Sequence, residues 1–106
     1  SCKCGKAMLV VHTTFASRHQ AEKAAETLVS ERLAACASVF PAKSFFFWKG
    51  KLVKQREFVL ELKTKGSNYV KLERRIRQLH TYSVPQIIAF DVKKAGKDYA
   101  AWVEKA

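Results

Sequence analysis

Three side chains in this 106-residue sequence have the chemistry to hold a borderline or soft metal ion: Cys36, His80 and His12. A thiolate sulfur and imidazole nitrogens suit copper and zinc. Cys36 stands where a helical pattern runs into a strand. His80 stands in a loop, where a ring nitrogen is accessible, and His12 lies inside an apolar strand. Each also has a plainer use. A free cysteine is among the most buried residue types, a histidine after a helix can bond its last carbonyls, and His12 can simply fill its strand. His19, on a helix surface, is the weakest candidate. No two of these residues have the i,i+4 spacing that preforms a metal site on a helix, so any site must be assembled in space. Cys2-Lys3-Cys4 is half of a metal clasp, with no second Cys or His pair near it.

The elements that would position these residues follow from hydrophobic spacing. Ala7–Thr14 is a short apolar run suited to a buried strand. Ser17 is a good N-cap, and Gln20 three residues on completes a capping box. Ala21, Ala24, Ala25, Leu28 and Arg32 then form a stripe at helical spacing, mostly of small residues, which predicts a closely packed helix. Cys36–Trp48 and Leu52–Thr64 flank a glycine-containing turn and read as a hairpin of two long strands. Pro41 makes the first of them an edge, a bulge or a kink. In the second, Phe58, Leu60 and Leu62 share one face, and Glu57, Val59, Glu61 and Lys63 share the other.

Gly66-Ser67-Asn68 reads as loop and cap. Tyr69, Leu72, Ile76 and Leu79 recur at helical spacing, with Glu73 and Arg77 as a supporting i,i+4 pair. His80–Pro85 is a loop, Gln86–Val92 a fourth strand, and Asp98 caps a short terminal helix. The order βαββαβ plus a small helix is the ferredoxin-like α+β arrangement, with expected strand order 4-1-3-2. Residues 1–6 are expected to be a flexible leader and residues 7–106 a single domain. Two helices cover only one face of such a sheet. Phe45-Phe46-Phe47-Trp48 points bulk to both faces, and the edge strands are apolar, so other subunits are expected to cover them.

The 20 basic and 9 acidic residues leave a net charge of +11, spread along the chain as +5 in residues 1–53 and +6 in residues 54–106. That is not a polybasic arm, and 48% hydrophobic residues exclude a disordered tail. The excess is expected on solvent-facing positions such as Lys71, Arg74, Arg75 and Arg77. No run of about 18 apolar residues exists to span a membrane. An odd count of three cysteines fits a reducing compartment, and no signal peptide is visible. The expected location is therefore cytoplasmic, or an organelle if a targeting segment has been removed.

Several segments in order resemble the CutA divalent-cation tolerance family: Glu31-Arg32-Leu33-Ala34-Ala35-Cys36-Ala37, Trp48-Lys49-Gly50-Lys51, Lys63-Thr64, His80-x-Tyr82-x-x-Pro85 and Tyr99-x-x-Trp102. The resemblance runs from about Leu9 to the C-terminus. It implies a ferredoxin-like subunit in a compact homotrimer similar to the PII signalling proteins, with a role in tolerance of copper and other divalent metals. It implies no enzymatic reaction and no required cofactor; copper or another divalent cation is the implied bound ion. Thr81 stands where the family usually has proline and Gln86 where it usually has glutamate, which weakens any role of that acid as ligand or base. His12 stands where some members have cysteine. In a trimer, Trp48, Lys49, Glu57, Lys63, Tyr82, Pro85, Gln86 and Trp102 are expected to line or border an inter-subunit cleft, since aromatic walls with a few convergent polar groups make a ligand pocket.

Three other functions compete. A basic ferredoxin-like nucleic-acid module fits the charge, but Lys54-Gln55-Arg56-Glu57-Phe58-Val59 lacks the glycines and most aromatics of the RNA-recognition signature. A nucleic-acid partner is not expected. An acylphosphatase-like hydrolase would need a glycine-rich phosphate cradle that Thr13–Arg18 lacks. A scaffold role in assembling another protein is left open by the sequence.

Overall fold

The computed structural model describes residues 7–106; the expected leader and its two cysteines lie outside the described residues. The apolar, β-branched opening forms strand β1 (Met8–Phe15). Ser17 caps helix α1 (Arg18–Ser30), its hydroxyl accepting from the Gln20 backbone N–H. Only this half of the expected capping box forms, because the Gln20 side-chain oxygen makes no hydrogen bond. Strands β2 (Cys36–Trp48) and β3 (Lys51–Lys65) pair along their whole shared length, from Cys36 opposite Lys63 to Trp48 opposite Lys51. Helix α2 (Tyr69–Leu79), strand β4 (Ile87–Asp91) and helix α3 (Lys97–Lys105) complete the chain. The sheet order is β2-β3-β1-β4, antiparallel throughout, as the ferredoxin-like reading requires.

Two local expectations change. Gly66–Asn68 is a short 3₁₀ turn in which Asn68 makes no capping bond; its amide instead donates to the Arg32 carbonyl and the Thr64 hydroxyl. Gly96, not Asp98, is the N-cap of α3, and Asp98 sits inside the first turn, where a carboxylate still favours the helix dipole. Pro41 causes no bulge: β2 is an edge strand, and Pro41 stays in register opposite Phe58.

Alternation along β3 divides the molecule. Phe58, Leu60, Leu62 and Thr64 point to the helix layer, where Val11, Phe15, Ala21, Ala24, Leu28, Leu72 and Ile76 close the core. Burying a side chain such as Leu60 or Leu62 contributes about 1.5–3 kcal/mol each. Glu57, Val59, Glu61 and Lys63 point to the other face, which α3 covers at one end only. There Val103 is buried and Lys65 donates to the Glu104 carbonyl. The β2–β3 hairpin runs on past the helices and gives the molecule a long axis of 44 Å against 27 and 22 Å.

Two left-handed backbone positions shape these paths. Lys49 and Gly50, with φ of 52° and 78°, form the two-residue hairpin turn, whose twist matches that of the strands. Arg32, with φ of 63°, ends α1. Its N–H bonds the Val29 carbonyl and the Leu33 N–H bonds the Leu28 carbonyl, a Schellman closure with arginine where glycine is usual. The Leu33 carbonyl then accepts from Thr64, and the Ala35 N–H bonds the Lys63 carbonyl, which fixes where Cys36 enters the sheet. Since an L side chain in this conformation costs about 1–2 kcal/mol, Arg32→Gly is expected to raise stability by about 1 kcal/mol. Urea unfolding measures this; an unchanged or lower midpoint would show that the arginine side chain offsets its backbone cost.

Candidate functional site

The open face of the sheet carries three neighbouring groups of side chains. At the α3 end, Cys36 on β2 lies opposite Lys63 on β3 and near Tyr99. Tyr99 stacks on Trp102 with ring centroids 5.8 Å apart, and burial first, then the nearby Cys36, raises the Tyr99 pKa. In the middle, His12 Nε2 meets Glu61 Oε2 at 2.9 Å, and Lys63 Nζ donates to Glu61 Oε1 at 3.0 Å. The bond to His12 is the main cause that holds the Glu61 carboxyl below its ordinary pKa, with Lys63 second; the bond to Glu61 in turn raises Lys63. Phe40 and Phe90 meet the His12 ring edge-on at 6.5 and 5.3 Å.

At the hairpin end, a cleft of about 640 Å³ is lined by Thr14, Ser44, Phe45, Phe46, Trp48, Val53, Gln55, Glu57, Tyr82, Ser83, Val84 and Gln86. Its polar centre is Glu57, a carboxylate only 7% exposed that forms no ion pair among the described residues. It accepts instead from neutral donors: Ser44 Oγ at 2.7 Å, Tyr82 OH at 2.9 Å, Thr14 Oγ1 at 3.4 Å and Gln55 Nε2 at 3.5 Å. Gln55 also donates to the Tyr82 oxygen at 3.1 Å. A buried carboxylate is costly unless its lone pairs are filled, and these four donors from four elements fill them. Burial, then the bond to Glu57, pushes the Tyr82 pKa up to about 12.

His80 organises this wall from behind. Its ring stacks on Phe15 at 4.2 Å, and its Nδ1 accepts the Tyr82 backbone N–H at 3.2 Å. The accepting Nδ1 makes Nε2 the protonated nitrogen of a neutral ring, enclosed and facing the Thr14 backbone. Burial, opposed by the Thr14 backbone and Glu57, lowers the His80 pKa.

The candidate residues therefore separate. The cleft unites Trp48, Glu57, Tyr82 and Gln86. Lys63 and Trp102 belong to the α3 end, with Lys63 bonded to Glu61, and Lys49 and Pro85 are not among the lining residues. Within one chain Cys36, His12 and His80 are not brought together: Cys36 and His12 share the open face, whereas His80 stacks on Phe15 of the helix-covered face. Among the described residues no group of three His, Cys, Asp or Glu side chains is placed to hold a metal ion. Sequence reasoning missed Ser44, Gln55 and Thr14. Ser44 and Gln55 carry a usable signal, since Gln55 is two residues from Glu57 and Ser44 follows from the hairpin register; Thr14 needs the β1–β3 pairing.

The family model described as CutA1 divalent ion tolerance protein matches residues 9–106. The chain belongs to this family. It is 41% identical over 96 residues to the divalent-cation tolerance protein CutA of Pyrococcus horikoshii, covering 91% of this chain and 94% of that protein. It is 36% identical to the CutA of Thermus thermophilus, covering 91% and 94%. The solved structure named as the periplasmic divalent cation tolerance protein CutA from Archaeoglobus fulgidus superposes with a TM-score of 0.90 at 31% identity, covering 92% of this chain and 96% of that one. CutA1 from Oryza sativa superposes with a TM-score of 0.91 at 30% identity, covering 93% and 92%. A rice relative is named chloroplastic, so relatives of this CutA-family chain occupy more than one compartment. No helix of the described residues is long and apolar enough to cross a membrane.

The two shifted groups give opposite pH signatures. The fold holds the Tyr82 proton more tightly than the unfolded chain, so that contribution is complete below pH 10 and is lost as pH rises from 10 towards about 12. The fold resists protonating His80, so its contribution is complete above pH 6.5 and is lost as pH falls below that value. Ultraviolet titration is expected to show one phenol ionising near pH 12 that vanishes in Tyr82→Phe. Imidazole NMR is expected to show His80 titrating below 6.5. A Tyr82→Phe spectrum that keeps the late transition would assign it to another tyrosine.

Proposed function

We propose that this protein serves divalent-metal tolerance as a non-enzymatic homotrimer, in which two further copies cover each open sheet face and complete a binding cleft at Glu57. One observation carries the reading: a row of large apolar side chains on that face, Phe40, Phe46, Trp48, Ile88, Phe90 and Trp102, remains about 40–60% exposed beside the cleft. An apolar surface of this kind marks an interaction site rather than a solvated one. The edges of the same sheet, β2 and β4, are unpaired in a single copy, and joining copies would protect them.

The metal reading rests on the relatives' shared name, divalent-cation tolerance protein. The cation is cargo, and the donors nearest the open face are the free Cys36 thiol and the His12 imidazole, which closure by neighbouring copies would bring into range of further ligands. His80 would contribute from the loop only by giving up its bond to the Tyr82 N–H. A small ligand with hydrogen-bond donors suits the cleft itself, where Glu57 and Gln86 face Trp48 and Phe46. A reducing compartment such as the cytoplasm fits a free thiol.

Sedimentation equilibrium is expected to give a particle of three times the 12.0 kDa chain mass. That particle should tighten with added salt, because screening weakens repulsion between copies that each carry +11. Calorimetric titration with copper is expected to show binding at least about tenfold weaker in Cys36→Ser and in His12→Gln. A monomer at micromolar concentration would end the trimer reading, and unchanged copper affinity in both variants would remove these two residues as ligands.

A further inference from the structure

The Phe45–Trp48 run expected at a subunit interface is divided by the alternation of β2: Phe46 and Trp48 lie on the open face where the proposed trimer closes, and Phe45 and Phe47 on the opposite face of the projecting hairpin. Beyond the helices, Lys43, Phe45 and Phe47 of β2 share one face with Leu52, Lys54 and Arg56 of β3, in the pairs Lys43–Arg56, Phe45–Lys54 and Phe47–Leu52. All six are exposed. Phe47 is 75% exposed and Phe45 61%, although Phe45 also borders the cleft across the thickness of the ribbon. At its root the guanidinium carbons of Arg18 and Arg56 lie 4.9 and 5.9 Å from the centre of the Phe58 ring. Between Cys36 and Leu60 the only acidic residue is Glu57, which faces the other side. Among the described residues, Arg18, Lys43, Lys54 and Arg56 form no ion pair. The basic helix α2 differs, because Arg75 is bound to Glu31 and Arg77 to Glu73.

We infer that this ribbon binds single-stranded nucleic acid, its cations meeting phosphates while bases stack on Phe45 and Phe47. Unpaired cations interleaved with exposed aromatic rings are the components of a sequence-tolerant single-strand platform. Rings two residues apart on one strand repeat at about 6.6 Å, room for one splayed nucleotide per ring. Charge order along the ribbon favours this polyanion over an anionic membrane. Trp48 pairs with Lys51 at the tip, and along the ribbon Lys43, Lys54 and Arg56 alternate with Phe45, Phe47 and Leu52, so no apolar edge stands clear of charge to enter a bilayer. Lys54–Val59 lacks the RNA-recognition signature on this face as on the other, and stacking of bases on exposed rings beside unpaired cations does not require that signature.

Fluorescence anisotropy of the full chain with a labelled 15-mer of deoxythymidylate, between 50 and 200 mM salt, tests the inference. Lys43→Gln/Lys54→Gln/Arg56→Gln is expected to weaken binding at least about tenfold and to reduce the salt slope by about 0.7 for each phosphate no longer neutralised. Phe47→Ala is expected to weaken binding at least about fivefold with the slope unchanged. A charge-matched control, Lys71→Gln/Arg74→Gln/Lys93→Gln, is expected to change affinity less than threefold. Circular dichroism and solution mass check that every variant keeps its fold and assembly. Absence of binding at 50 mM salt overturns the inference, as does an equal loss in the control, which would make binding a matter of net charge. Binding to phosphatidylserine vesicles in preference to the oligonucleotide, lost with Phe47→Ala, would also overturn it and assign the surface to membranes.

Discussion

Strand β3 is hydrogen-bonded on both edges, and its alternating side chains serve two unlike surfaces. Phe58, Leu60 and Leu62 build the core, while Glu57, Glu61 and Lys63 build the polar chemistry of the open face. A slip of one residue would place two carboxylates and an ammonium in the helix layer and the core leucines in water. Register is therefore enforced by burial on one side and by paired charge on the other. It is also pinned at each end of the β2–β3 pair, by the left-handed turn at Lys49-Gly50 and by the Thr64 and Ala35 bonds after α1.

Glu57 and Glu61 are four residues apart on the same face of β3, yet they live differently. Glu61 is half-buried and held by cationic or imidazole partners, so its charge is locally answered. Glu57 is more deeply buried and is answered only by dipoles from β1, β2, β3 and the loop after α2. A carboxylate surrounded by neutral donors keeps a local negative potential that a salt bridge would cancel. That makes the cleft the part of the molecule where a donor-rich ligand could exchange for an existing partner, Gln55 being the longest and weakest of the four.

Much of this architecture was legible because period-two and period-3.6 patterns are unambiguous over long elements. The hairpin ends at Cys36 and Trp48, the core set on β3 and the apolar stripe on α2 all follow from spacing. The helix caps were less legible: Gln20 holds the expected third helical position without its side-chain oxygen making a bond, and Asp98 lies two residues past the Gly96 cap, since cap bonds depend on local dihedral angles that composition does not carry. The cleft was half legible. Trp48, Glu57, Tyr82 and Gln86 do converge, but Lys63 and Trp102 sit beyond the His12–Glu61 pair, because distance along β3 becomes distance across the face. His80 was legible as a special residue and not as the support for Tyr82, a relation made by stacking on Phe15 that no spacing encodes.

The two-residue turn at Lys49-Gly50 also orders events in time. It joins partners adjacent in sequence, so the β2–β3 hairpin can zip on the microsecond scale of isolated hairpins. β1 and β4, by contrast, must wait for contacts closed across dozens of residues. For that interval the nascent chain displays a bare ribbon carrying Phe45, Phe46, Phe47 and Trp48, a segment with the hydrophobicity and β-propensity of an aggregation seed. Lys43, Lys49, Lys51, Lys54 and Arg56 lie within and around it as gatekeepers. The cations of the hairpin thus guard its aromatic run against self-association whenever the ribbon stands without its partners.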